Sequence, residues 1–145
     1  MKDMDRRSAV ALGMATVATP PLTLLAAAPP AAAQARGPAE GKEIAPGVRQ
    51  IDLSPPRLSK IQGFKTVSMR DVVLQPGAEI PEFAMPNPML CHVTEGELAI
   101  RQDGRDFVAK KGDAWDCGMG TREGTKNNGT TVGVMRIIDF DMSMT

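Results

Sequence analysis

The 145-residue sequence contains no tyrosine, one tryptophan, four phenylalanines and one histidine. Proteins that bind single-stranded nucleic acid stack bases on aromatic side chains, and so small a set offers no such platform. Nor is there an excess of charge of either sign, since 17 Lys and Arg face 17 Asp and Glu. Neutralising phosphates requires a basic patch or stripe, so a nucleic-acid partner is excluded on both counts. With a single histidine and no nucleophile elbow leading into a helix, a Ser-His-Asp arrangement is absent as well. The two cysteines, Cys91 and Cys117, form neither C-x-x-C nor a zinc-finger spacing. Gly118, Gly120 and Gly124 follow a predicted strand, but no predicted helix receives a phosphate there.

Glycine and proline, by contrast, are plentiful at 14 and 12 residues. Their short spacing through the second half disfavours a helical bundle and predicts many short strands joined by turns, an all-β domain. Residues 1–35 read as an export signal. Lys2, Arg6 and Arg7 supply a positive end, Ser8 to Ala28 is an uncharged run, and Ala33-Gln34-Ala35 is a small-x-small cleavage site. Adjacent arginines ahead of a weakly apolar run resemble a twin-arginine signal, which places the protein in the bacterial periplasm or outside the cell. Four prolines between Pro20 and Pro30 make a membrane-spanning helix poor. Removing the segment takes three basic and two acidic side chains and leaves 110 near-neutral residues, enough for one core. Both cysteines then sit in an oxidising compartment, as a disulfide, as buried thiols or as thiolates on a metal.

Residues 36–62 read as an irregular arm with one edge strand around Val48 to Leu53, and the barrel is expected over 63–141, with a tail at 142–145. Strands are predicted at Phe64–Leu74, Met89–Val93, Glu97–Gln102, Arg105–Lys110, Ala114–Cys117 and Thr130–Phe140. Pro81 to Pro88 reads as a broken stretch, the residues after Cys117 as a glycine-rich connection, and Asp103-Gly104 as a tight hairpin. Turns every 8 to 12 residues or so suggest a sandwich or barrel.

The order of these turns resembles the cupin family, small jelly-roll barrels built as a double-stranded β-helix. The family's second motif is G, five residues, P-x-G, two residues, H, three residues, N. Here Gly112, Gly118-Met119-Gly120, Glu123 and Asn127 keep that spacing, with Gly118 in place of the proline and Glu123 in place of the metal-binding histidine. In the first motif Gly77 fits the opening, and Val93-Thr94-Glu95-Gly96 resembles the segment that closes it. Counting back from Gly96 puts Met89 at the family's glutamate ligand. A three-residue spacer then puts Met85 and Phe83 at the two histidines, and a four-residue spacer puts Ala84 and Glu82 there. The resemblance thus implies the fold without the usual ligands, and an iron or manganese enzyme is not expected, because such ions favour imidazole and carboxylate over a neutral thioether.

Two readings of the interior follow. In the first, an exported binding protein holds a soft metal such as Cu(I) through Met85, Met89 and Cys91, supplemented by Glu123 or His92. Strand alternation puts Met89 and Cys91 on one face and Leu90 and His92 on the other. In the second, a metal-free barrel takes a small organic molecule in an apolar pocket lined by Phe83, Trp115 and Met119 beside those methionines, as a carrier or as an enzyme using Glu123. Methionine is also ordinary gap-filling core material, and a carboxylate at position 123 is structural if Arg101, Arg122 or Arg136 pairs with it. Glu79 and Glu82 read as rim charges. Exposed sheet edges and the family's habit imply a homodimer.

Overall fold

The computed structural model describes residues 40–142. The expected export signal and most of the 142–145 tail lie outside the described residues. Ten strands and no helix run through the described chain, in the order β1 (Lys42–Ala45), β2 (Val48–Leu58), β3 (Phe64–Leu74), β4 (Glu79–Ala84), β5 (Met89–Glu95), β6 (Glu97–Gln102), β7 (Arg105–Lys110), β8 (Ala114–Cys117), β9 (Arg122–Lys126) and β10 (Gly133–Met142). The all-β expectation is thereby met. All pairings are antiparallel, in a six-stranded sheet of order β1-β2-β3-β10-β5-β8 and a four-stranded sheet of order β4-β9-β6-β7. No helix among the described residues is long and apolar enough to cross a membrane.

Local chemistry accounts for the pattern. The β6–β7 hairpin pairs Gln102 with Arg105 across Asp103-Gly104, and both loop residues adopt positive φ, 47° and 78°. That is the type I′ geometry whose twist matches the flanking strands, and Asp-Gly tolerates it best. In β5, Met89, Cys91 and Val93 are buried while Leu90 and His92 are not, the period-2 alternation of a sheet with one face on the core. The core lies between the sheets. Val48, Val72, Leu74, Cys91, Val93, Met135 and Ile137 come from the six-stranded side and Leu98, Ile100 and Ala109 from the four-stranded side.

Three expectations need correction. The arm is not irregular: β1 and the eleven-residue β2 extend the larger sheet, and β2 lies inside it, between β1 and β3. The broken stretch after Gly77 contains β4, which holds Pro81 because it is an edge strand whose register breaks between Ile80 and Phe83. The glycine-rich connection contains β9. A Cβ at Gly124 would stand 3.1 Å from the Glu82 backbone nitrogen, so the glycine marks a close approach of β4 and not a loop.

Asn127, at the end of β9, fixes one end of the molecule. Buried, it donates through Nδ2 to the carbonyls of Leu74 (3.0 Å) and Thr131 (2.8 Å) and accepts at Oδ1 from the Gly129 N–H (2.9 Å). Backbone bonds from Gly77 N to Asn127 O and from Asn127 N to Ala78 O close the same corner.

Candidate metal centre

Three strands deliver the polar groups of the interior. Cys91 comes from the middle of β5, Cys117 from the end of β8 and Glu123 from β9, so two donors belong to the larger sheet and one to the smaller. The chain crosses between sheets in the four-residue turn from Gly118 to Thr121, which carries it from Cys117 to Glu123. The two sulfurs and a Glu123 carboxylate oxygen all lie within 4.8 Å of one another, and all three residues are buried.

Glu123 is 2% exposed, and its hydrogen bonds are one-sided. Oε2 accepts from Trp115 Nε1 at 2.9 Å, from the Cys117 thiol at 3.1 Å and from Gln102 Nε2 at 3.2 Å. Among the described residues Oε1 has no hydrogen-bond partner. A buried carboxylate is costly unless paired or well bonded, and here three neutral donors all hold one oxygen. The arginines expected to pair with it do not. Arg101 and Arg122 reach Glu82 on the other face of the smaller sheet, and Arg136 holds Asp71 at 2.8 Å. Glu82 and Glu79 are thus surface partners of Arg122 and Lys126.

Cys91 and Cys117 are free thiols. Cys91 pairs with Trp115 across the β5–β8 ladder and Met89 pairs with Cys117, so the cysteines are diagonal neighbours. Diagonal Cα atoms stand about 7–8 Å apart, beyond the span of about 4.4–6.8 Å that a disulfide tolerates. The register therefore keeps two thiols side by side without joining them. The Cys91 thiol titrates far above its ordinary range, first because it hydrogen-bonds to Cys117, then through burial and the negative charge of Glu123.

Beside this group lies an interior cavity of about 80 Å³ lined by Met85, Met89, Cys91, Glu123, Met135 and Arg70 among others. Its size suits an ion with one or two small companions and falls well short of the roughly 300–1,000 Å³ usual for organic ligands. Arg70 forms one polar wall and is tied to Asp139 by two hydrogen bonds of 2.8 and 3.1 Å.

The structure thus brings Met85, Met89, Cys91 and Glu123 to one cavity, with half-exposed Phe83 at its edge. Trp115 takes part through its indole N–H on Glu123 and packs edge-on against Phe107, with ring centroids 5.7 Å apart. Met119 does not line the cavity. It is 65% exposed, because the tight turn between β8 and β9 points it into solvent. His92 is on the opposite face of β5, as alternation requires, with Nδ1 3.1 Å from the Asp113 carbonyl. Cys117 and Gln102 were not assigned to a site from the sequence. The apolar-polar alternation of β8 was the signal for Cys117, whereas Gln102 depends on the β6–β9 register, in which it faces Glu123.

No protein-family model matches the chain, and no curated protein does. Solved structures do. An RmlC-like cupin from Shewanella frigidimarina NCIMB 400 superposes with a TM-score of 0.56 at 19% identity, over 68% of this chain and 80% of that one. A cupin_2 domain of an XRE family transcriptional regulator from Enterobacter cloacae gives 0.55 at 14%, over 68% and 99%. KdgF from Halomonas sp. gives 0.54 at 14%, over 68% and 83%. The chain therefore has the cupin jelly-roll fold. At such identities the likeness extends to the fold alone.

Proposed function

We propose that this protein is an exported cupin that binds one soft metal ion, Cu(I), inside the barrel. The reading is carried by one observation: two thiols and a carboxylate from three strands converge within 4.8 Å beside a cavity that three thioether residues, Met85, Met89 and Met135, line. Thiol and thioether sulfur favour Cu(I) over hard divalent ions. The methionines set this group apart from a zinc site, whose ligands are cysteine, histidine, aspartate and glutamate. Cu⁺ replacing a single thiol proton leaves the buried site with unchanged charge and avoids the desolvation cost of adding one. Export rests on the pattern from Lys2 to Ala35. Against an organic ligand stands the cavity's volume of about 80 Å³.

The test is a competitive anaerobic titration of the reduced protein with Cu(I) against a chromophoric chelator. One equivalent held tighter than about nanomolar, some 12 kcal/mol of binding free energy, is expected. Cys117→Ser should lose that affinity and Met89→Leu, a nearly volume-conserving swap that removes a sulfur, should weaken it. Absence of competition by the wild-type protein refutes the reading.

A further inference from the structure

The sulfur-bearing side chains around the site are graded from surface to interior. Met119 is 65% exposed, Met85 6%, Met89 4%, Cys117 2% and Cys91 0%. Met119 stands at the tip of the turn between β8 and β9, flanked by Gly118 and Gly120 and closed by a bond from Thr121 N to Gly118 O at 3.1 Å. Two backbone bonds of 2.8 Å, from Met85 N to Thr121 O and from Gly120 N to Met85 O, clamp this turn to Met85. Along the chain Met119 is only two residues from Cys117, so their Cα atoms are within about 7 Å. A thioether thus stands in solvent on a turn that contacts one cavity-lining methionine and leads directly into a thiol of the site. It has no core to fill there, and neither neighbouring glycine has a side chain to obstruct it.

Resting on the soft-metal reading above, we infer that Met119 is the entry residue of the site: its sulfur receives Cu(I) from a solvent-borne thiolate or thioether donor and passes it by way of Met85 to the interior. The transfer is ligand exchange. A new bond from the Met119 sulfur to copper forms as the bond to the donor breaks, copper stays Cu(I) throughout, and the proton displaced from a cysteine thiol leaves to solvent. Met119 is no ligand of the final site, so it governs the rate of loading and not the affinity. Thioethers suit this part because they bind Cu(I) without having to lose a proton.

The experiment follows Cu(I) moving from a coloured chelator complex to the full chain in an anaerobic stopped-flow instrument, for wild type, Met119→Leu and Met142→Leu. Met142 is also exposed but belongs to β10, which β5 separates from β8 in the larger sheet, and serves as the control. Met119→Leu should slow the transfer by about tenfold and reach the same end point, while Met142→Leu transfers at the wild-type rate. A Met119→Leu rate within a factor of about two of wild type, or equal slowing by both variants, overturns the assignment. A lowered end point for Met119→Leu also overturns it, by making Met119 a ligand of the final site. If wild type takes no copper at equilibrium, it is the soft-metal reading that fails, and the entry role falls with it.

Discussion

Replacing Glu123 by glutamine and by alanine separates its hydrogen bonds from its charge. Both changes remove the charge and so relieve the same cost of burying a carboxylate, which is several kcal/mol for an ion taken out of water. Glutamine keeps a carbonyl oxygen that can accept from Trp115, Cys117 and Gln102, whereas alanine leaves all three donors without their acceptor. An unsatisfied buried donor costs about 1–3 kcal/mol. Trp115 and Gln102 are only partly buried and can recruit water, and a thiol is a weak donor, so each belongs at the low end of that range. Glu123→Ala should therefore be less stable than Glu123→Gln by about 3 kcal/mol, while Glu123→Gln stays within about 1 kcal/mol of wild type because lost charge assistance and relieved desolvation oppose each other. For a domain of about 100 residues the difference amounts to more than about 10 °C in Tm. Urea unfolding followed by circular dichroism, with a copper chelator present, reads it without relying on the indole that the substitution disturbs. Alanine and glutamine variants of equal stability would show that the three donors do not depend on this carboxylate, and the hub described above would be wrong.

Other expectations follow from the same geometry. Because the folded protein holds the Cys91 proton far more tightly than an unfolded thiol of ordinary pKa 9.0, the folded state carries the extra proton at alkaline pH. Stability from this source is full below pH 9 and falls above it by about 1.4 kcal/mol per pH unit; an alkaline series of urea midpoints that stays flat, once compared with Cys91→Ala, would contradict it. Diamide treatment of the folded, metal-free protein should leave two titratable thiols on subsequent denaturation, since the diagonal register holds the cysteines outside disulfide span; rapid loss of both would refute that spacing. Asn127→Ala leaves two backbone carbonyls and one N–H without their partner and should cost about 2–4 kcal/mol, measured as a loss in thermal midpoint, and a change below about 0.5 kcal/mol would sink the corner-fixing role.

The sequence made the regular hairpins legible and concealed the strands that break rules for a reason. Phe64–Leu74, Glu97–Gln102, Arg105–Lys110 and Ala114–Cys117 were bounded correctly because alternation and turn chemistry agree there. The strands Glu79–Ala84 and Arg122–Lys126 were hidden by Pro81, tolerated at a sheet edge, and by Gly124, required by a close neighbouring strand. Pro55 and Pro56 likewise truncated the expected strand after Val48, although they fall where the ladder skips between Ser54 and Arg57. At the site, period-2 alternation was enough to put Met89 and Cys91 on one face. The partners of Glu123 were not legible: composition offered three arginines, whereas registry between strands far apart in sequence supplies an indole, an amide and a thiol.

That the donors are divided between two sheets sets the order in which the molecule could acquire an ion under the proposed reading. Cys91 and Cys117 sit on the larger sheet, and Glu123 reaches them only once the smaller sheet has closed over the core. A chain still on its way to the native state has cysteines but no assembled pocket, so it cannot retain an ion with the native geometry or be trapped by one. An ion that arrives after closure would clasp the two layers together, and opening one sheet from the other would then require its release. Occupancy would slow the opening of the barrel while leaving the local hairpins, such as the one at Asp103-Gly104, as free to fray as before.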